Sequence, residues 1–206
     1  MQLLQKILLA RLGMQNDFVG YETLINYIEA NKIYELKGDF LEVGAFMGGG
    51  SSKLARFADK HNKRLIVVDL FDPNSDDTEN NRGQSMSFLY RRILGQKDLR
   101  KTFDRNTQLE RNIVVYSVDS KRVKLPANTE LCFSFIDGNH DPEYVKSDFY
   151  LAWNQTVSGG VVAFHDYGNE LPQVTIAING LIEENNRTIN NTCFMPQSAT
   201  LVVRKQ

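Results

Sequence analysis

From about residue 39 the sequence alternates short runs that are apolar throughout with stretches whose apolar residues recur every three or four positions. The runs fall at 40–43, 65–68, 113–116, 131–136 and 160–164. A strand that is apolar on successive residues has both faces buried, and such strands separated by helices predict a mostly parallel sheet covered on both sides, an α/β doubly wound fold. Asp141-Pro142 supplies an N-cap and a first-turn proline, and Val145, Phe149, Ala152 and Trp153 then share one helical face. Pro172 opens another helix, with Val174, Ile178, Leu181 and Ile182 on its stripe. Two β-prone runs, 188–195 and 199–203, flank a Pro-Gln-Ser turn and predict an antiparallel hairpin at the sheet edge. Ahead of the sheet two amphipathic helices are expected, marked by Leu4, Ile7 and Leu8 and then by Tyr21, Leu24, Ile25 and Ile28. Residues 1–36 therefore read as a helical cover or arm through which copies of the chain would associate, and residues 37–206 as the α/β domain. Residues 71–82 are polar, turn-rich and carry four acids, the pattern of a mobile loop.

Composition narrows the function classes. With 206 residues and 42% apolar content the chain is long enough for one well-buried core and short for two. A formal charge of −1 gives no electrostatic footprint for a nucleic acid, and no apolar run approaches the ~20 residues that cross a bilayer. Neither nucleic acid nor membrane is expected as a partner. Lys6 and Arg11 interrupt and follow the first apolar stretch with no small-residue cleavage pattern after it, so a cytoplasmic location is expected. Cys132 and Cys193 both sit in strand-like runs and read as buried, reduced thiols.

In an open parallel sheet, ligands bind beyond the carboxyl ends of the strands. The first strand runs into Glu42-Val43-Gly44-Ala45-Phe46-Met47-Gly48-Gly49-Gly50-Ser51 and then a helix. Glycines there let the backbone approach a ligand, and the helix start offers free N–H groups. Its G-x-x-x-G spacing departs from the G-x-G-x-x-G of dinucleotide sites and lacks the Gly-Lys-Ser/Thr of a triphosphate loop. The second strand ends in Asp69, placed to accept hydrogen bonds from ribose hydroxyls. The third leads to Asp119 and Ser120, within reach of an adenine edge. The fourth gives Asp137, His140 and Asp141, and the fifth His165 and Asp166. Three acids and two histidines at adjacent strand ends suit proton transfer or metal binding better than five separate turn caps.

These residues carry a resemblance. The ordered pattern E-V-G-x-x-x-G-G-x-S-S, V-V-D, I-D-G-x-H-x-x-x-x-V-x-x-D and G-G-x-x-x-x-H-D-Y, spanning residues 39–167, resembles class I S-adenosylmethionine-dependent methyltransferases, in particular the branch acting on sugars and other small molecules at oxygen. The resemblance implies a seven-stranded Rossmann-like sheet with its last strand antiparallel. It implies S-adenosylmethionine as cofactor, the loop of Gly44, Ala45, Gly48 and Ser51 near its methionine part with Glu42 in support, Asp69 on the ribose, Asp119 and Ser120 near the adenine, and Asp137 beside the cofactor. It further implies a divalent metal on Asp137, His165 and Asp166. His165 departs from the all-oxygen pattern: magnesium prefers hard oxygen ligands, whereas imidazole favours manganese, iron or zinc, which leaves metal use and identity open. His140, whose ordinary pKa of ~6.5 keeps much of it neutral, is the expected catalytic base, with Asp137 beside it. Three alternatives stand: a nicotinamide-dependent oxidoreductase, which the glycine spacing disfavours; a non-catalytic protein on the same scaffold; and a hydroxylase-like relative with iron on the two histidines. The acceptor is expected to be a small molecule or sugar. Ten Lys or Arg against four acids between Arg91 and Lys124 would suit a phosphorylated or nucleotide-linked sugar, but a solvated helical face is the preferred reading.

Overall fold

The computed structural model describes residues 17–206; the expected first helix, with Leu4, Ile7 and Leu8, lies outside them. Seven strands form one sheet: β1 (Asp39–Val43), β2 (Leu65–Val68), β3 (Ile113–Tyr116), β4 (Leu131–Ile136), β5 (Thr156–Phe164), β6 (Ile189–Met195) and β7 (Thr200–Lys205), in spatial order β3-β2-β1-β4-β5-β7-β6. The pairs β3-β2, β2-β1, β1-β4 and β4-β5 are parallel, while β7 runs antiparallel to both β5 and β6. The expected doubly wound sheet with a terminal hairpin is thus the observed architecture. Among the described residues the α-helices are α1 (Tyr21–Ala30), α2 (Gly49–Lys60), α3 (Met86–Leu94), α4 (Leu99–Thr107), α5 (Pro142–Trp153) and α6 (Pro172–Glu184). Asp141 caps α5 as its sequence suggests, its carboxylate accepting the Glu143 N–H at 2.8 Å.

Strand alternation explains why the runs are apolar throughout. Phe40 of β1, Leu65 of β2 and Phe133 and Phe135 of β4 face the cluster completed by α1 and α2, whereas Leu41, Val43, Ile66 and Ile136 face the one completed by α5 and α6. In α1, Tyr21, Leu24 and Ile28 are buried. Full burial of Leu24 and Ile28 stabilises by roughly 1.5–3 kcal/mol each, enough to bind this helix to the sheet. Cys132 is buried on β4, but Cys193 is exposed and corrects the expectation. The run that carries Cys193 forms β6, the outermost strand, whose residues 190–194 face solvent. Among the described residues no helix is long and apolar enough to cross a membrane.

The topology prepares a site. After β3 the chain returns to the other side of β1, so the connections from β1 and β4 diverge between these neighbours. Register then aligns the strand ends: Val43 pairs with Val68 and with Ile136, and Ile136 with Phe164. The residues that follow, Gly44, Asp69, Asp137 and His165, emerge side by side.

Candidate active site

Gly44 lies at φ +86°, and a Cβ there would stand 2.0 Å from the Asp137 carbonyl oxygen and 2.7 Å from the Gly138 Cα. Both the backbone turn and the closeness of the β4 loop therefore require glycine. Asp69 ties the first two loops together. One carboxylate oxygen accepts the N–H groups of Ala45 at 2.7 Å and Phe46 at 2.9 Å, and the other accepts that of Phe71 at 2.5 Å. Burial raises the Asp69 pKa against the pull of these three donors. Glu42 follows Phe40 onto the α1–α2 face and is wholly buried, accepting the Tyr21 hydroxyl at 2.6 Å. Burial pushes its pKa up to about 7, opposed by Tyr21 and the neighbouring Ser51. Its second oxygen and the Ser51 Oγ have no partner at hydrogen-bonding geometry.

A cavity of about 660 Å³ opens over the strand ends, within the ~300–1,000 Å³ span of small-molecule sites. Gly44, Ala45, Asp69, Asp119, Ser120, Asp137, His140, His165 and Asp166 line it. Glu42, Gly48 and Ser51 are not among its lining residues; they stand behind the loop, where Gly48, at φ +77°, begins the turn into α2. Asp119 accepts the Lys121 N–H at 2.9 Å and the Tyr144 hydroxyl at 3.1 Å.

Beneath Ser120 and Gly138 lies an acid that sequence reading assigned no role. Asp148 is 0% exposed, and neither oxygen has a hydrogen-bond partner. Burial raises its pKa to about 7 and Asp119 adds to the shift, while Ser120 and Lys121 lie near enough to favour the charged form. A raised carboxyl pKa means that the folded state holds a proton the unfolded chain releases near pH 4, so stability declines as pH rises from about 4 to about 7 and levels off above that. Asp148→Asn is therefore expected to gain on the parent across that range, by about 1.5 kcal/mol at pH 5 and by up to about 4 kcal/mol at pH 8, at about 1.36 kcal/mol per unit of the shift. Thermal melts at the two pH values check this; equal gains at both would exclude a titrating Asp148.

The titratable cluster is denser than the sequence suggests. His140 was expected on an open loop with an ordinary pKa; it is instead 4% exposed and held between two acids. Its Nδ1 stands 2.6 Å from an Asp76 oxygen and its Nε2 2.9 Å from Asp166. Burial alone would lower its pKa, but the hydrogen bonds and charges of Asp166 and Asp76 outweigh it and set His140 at about 10. His140 is thus an imidazolium donating from both nitrogens. The Nδ1 of His165 lies 2.9 Å from Asp137 and 3.1 Å from Asp166. Burial opposes its charged form too, yet those two acids hold its pKa well above the ordinary value. Asp166 has φ +58°, a left-handed conformation costly for a non-glycine residue and typical of functional sites. Donor atoms of Asp137, His140 and Asp166 all fall within 4.8 Å of one another, a spread that one cation can gather.

Among the lining residues that the sequence pattern did not mark are Asp76 and Tyr90. Asp76 belongs to residues 71–82, where nothing periodic distinguishes it from the acids around it, yet it is 3% exposed. Tyr90 lies on α3, its ring 5.4 Å from that of Phe46. The serine three residues before Phe88 was an available cue, since Ser85 caps α3 by accepting the Phe88 N–H at 3.3 Å.

An open sheet with a glycine turn after its first strand, an acid after its second and a proton-handling cluster after its fourth and fifth defines an α/β enzyme that works on a cofactor laid across the strand ends. The family model described as "Methyltransferase domain" matches residues 41–167. The chain belongs to this family and is a class I, S-adenosylmethionine-dependent methyltransferase. Among solved structures, that of the O-methyltransferase NovP is similar over 90% of this chain and 79% of its own, at 16% identity and a TM-score of 0.66. Apo CalS11, a TDP-rhamnose 3′-O-methyltransferase of calicheamicin biosynthesis, is similar over 89% of this chain and 79% of its own, at 15% identity and a TM-score of 0.61. TomG from Streptomyces achromogenes, an O-methyltransferase of tomaymycin synthesis solved with S-adenosylmethionine, is similar over 100% of this chain and 91% of its own, at 12% identity and a TM-score of 0.55. At these identities the likeness concerns the fold. No match is found among curated protein sequences.

Proposed function

We propose that the chain transfers the methyl group of S-adenosylmethionine to a hydroxyl oxygen of a small molecule. The observation that carries this reading is the convergence of Asp137, His140, His165 and Asp166 in the same cavity as Gly44 and Asp69. A hydroxyl must lose its proton as it attacks, and this cluster offers the groups to take it. The cavity's other end would take the cofactor: Gly44, Asp69, Asp119 and Ser120 all line it, with Asp69 as the ribose acceptor and Asp119 and Ser120 beside the adenine. When bound, S-adenosylmethionine supplies an electrophilic methyl and its own leaving group.

Asp137, His140 and Asp166 offer donor atoms within 4.8 Å of one another, with His165 hydrogen-bonded to both carboxylates, and once an imidazole gives up its proton this set would fit a divalent cation: the carboxylates suit magnesium or manganese, and the imidazole shifts the preference toward manganese, iron or zinc. Such an ion lowers the pKa of a hydroxyl held next to it. The chain's own residues do the rest. Asp76 fixes the His140 ring through Nδ1 and leaves Nε2 as the atom that faces Asp166. His140 serves as base only when Nε2 is released from Asp166 and deprotonated, so engagement of Asp166 elsewhere is the condition for turnover. The N-terminal segment, through Tyr21 on Glu42, then acts as a cover that braces the cofactor loop.

Calorimetry with S-adenosylhomocysteine and with NAD tests the cofactor half of the proposal, and incubation with S-adenosylmethionine and a panel of catechols and sugars, read by the mass gain of one methyl group, tests the transfer. Heat with NAD alone would reverse the reading. Asp69→Ala removes the ribose acceptor and a charged partner of three N–H groups. Hydrogen bonds to charged groups are worth about 1.5–3 kcal/mol, so S-adenosylhomocysteine affinity is expected to fall roughly ten- to hundredfold. An unchanged dissociation constant would remove Asp69 from the cofactor.

A further inference from the structure

The wall of the cavity formed by α3 differs from the strand-end side. Met86, Leu89, Tyr90 and Ile93 recur at i, i+3, i+4 and i+7, the spacing of a buried helical stripe, yet all four line the cavity and are only half-buried. The residues of α3 that are buried in the protein are Ser87 and Leu94. The stripe continues through aromatic rings: Tyr90 lies against Phe46 at 5.4 Å, and Phe46 against Phe18 at 5.7 Å, edge to face. Phe46 has φ +47°, and its N–H is fixed by Asp69, so the backbone holds this ring at the cavity in a conformation a free loop would avoid. Burial and the charges of Asp76, Asp137, Asp166 and Asp69, which line the same cavity, hold the Tyr90 hydroxyl in its protonated form.

Charge limits what can lie on that stripe. Among the described residues, eight carboxylates line the cavity against one guanidinium, Arg82, which is ion-paired with Glu170, and two imidazoles, His140 and His165, each held between two of those carboxylates. The basic residues between Arg91 and Lys124 do not line it: Arg91 donates to Asn74 at 2.7 Å, Arg100 sits 4.8 Å over the Phe71 ring, and Lys121 sits 3.8 Å over that of Tyr144. The cavity's charge suits the sulfonium cofactor and a metal cation. A phosphate or carboxylate on the acceptor, next to the α3 wall and the acid cluster, would lose its water facing carboxylates, where Arg82, His140 and His165 are already paired with acids.

We infer that the acceptor is a hydroxyl compound carrying no anionic group, neutral or cationic, with a flat apolar body that lies along Met86, Leu89, Tyr90 and Ile93. This rests on the methyl-transfer reading of the same cavity and gives it a substrate class: phenols and hydroxylated amines are accepted, and nucleotide-linked sugars and acyl phosphates are refused.

The experiment uses the full chain titrated first with S-adenosylhomocysteine and then, with that ligand saturating, with three probes sharing one ring system: 2-naphthol, 2-naphthylmethylamine and 2-naphthyl phosphate. Binding is followed by ligand-observed saturation-transfer NMR. The expected result is that the alcohol and the ammonium bind and the phosphate binds at least tenfold more weakly. Tyr90→Ala should weaken 2-naphthol at least fivefold, and Leu89→Lys should narrow or invert the gap between phosphate and ammonium. A phosphate that binds the parent as tightly as the alcohol overturns the acceptor class while leaving methyl transfer standing. Variants at both positions that bind all three probes as the parent does overturn the placement on α3. Failure of S-adenosylhomocysteine itself to bind sinks the methyl-transfer reading and the acceptor with it.

Discussion

Gly44→Ala is expected to lower stability by about 2–5 kcal/mol and to abolish measurable binding of S-adenosylhomocysteine. Two costs combine. A left-handed backbone disfavours any Cβ by about 1–2 kcal/mol, and forcing atoms into a filled space typically costs about 1–3 kcal/mol more. The second term is certain to be felt here, because the new Cβ would meet main-chain atoms of Asp137 and Gly138 at 2.0–2.7 Å, and main chain cannot rotate aside as a side chain can. The only relief is to push the β1 loop from the β4 loop, which moves Ala45 and Phe46 off the Asp69 carboxylate. Gly83→Ala supplies the control. Gly83 has a similar backbone, φ +68°, with nothing within 4 Å of the added Cβ, so it should show the conformational cost alone and leave ligand binding intact. Denaturant melts and calorimetry on the two variants separate the terms; a Gly44→Ala protein that binds as the parent does would mean that the two loops are not in contact when the cofactor is present.

That contact shows why the site was legible where it was. Register in a parallel sheet brings residues at the ends of different strands to one line, so Gly44, Asp69, Asp137 and His165 could be grouped once the strands were read. The strands were readable because both faces of each are buried. Where burial is lopsided the pattern fades: β5 begins at Thr156, ahead of the expected 160, because Val157, Ser158 and Gly159 are partly or wholly exposed. The same lack of burial hid α4, which keeps only Leu99, Thr102, Phe103 and Thr107 inside among residues that are otherwise polar. The apolar stripe of α3 is plain in retrospect, but it faces a cavity and not the core. Periodicity reports that a face is sheltered from water without saying by what.

The environment of His140 was out of reach for a different reason. Sequence places a histidine four residues after the end of β4; it does not say that a side chain 64 positions earlier is folded against it. Only the tertiary path of residues 69–85 does so, and that path is pinned by contacts of its own: the Asn139 amide donates to the Ser75 carbonyl at 2.9 Å, and the Ser87 N–H to the Asp76 carbonyl at 2.7 Å. An unperturbed histidine was therefore the natural expectation, and the two flanking acids are what change it into a buried cation.

Asp76→Ala tests that change and carries the largest expected loss of stability. Removing one partner of a buried ion pair leaves the other uncompensated, which costs about 3–5 kcal/mol, against less than about 0.5 kcal/mol for an exposed loop acid. For a domain of this size that corresponds to a fall in melting temperature of roughly 10 °C. Asp76 also accepts both the backbone N–H and the hydroxyl of Thr78, at 3.0 and 2.5 Å, so its loss frees the loop as well as the imidazole. Asp76→Asn keeps the shape and a hydrogen-bond acceptor while removing the charge, and should fall between alanine and parent. Nitrogen NMR of the imidazole distinguishes the electrostatic from the merely structural consequence: in the parent both ring nitrogens should carry protons at pH 8, and in Asp76→Asn the His140 signal should begin to titrate at lower pH. A variant as stable as the parent, with His140 unchanged, would mean that the loop acid does not hold the ring and that Nε2 is not presented to the acceptor by Asp76.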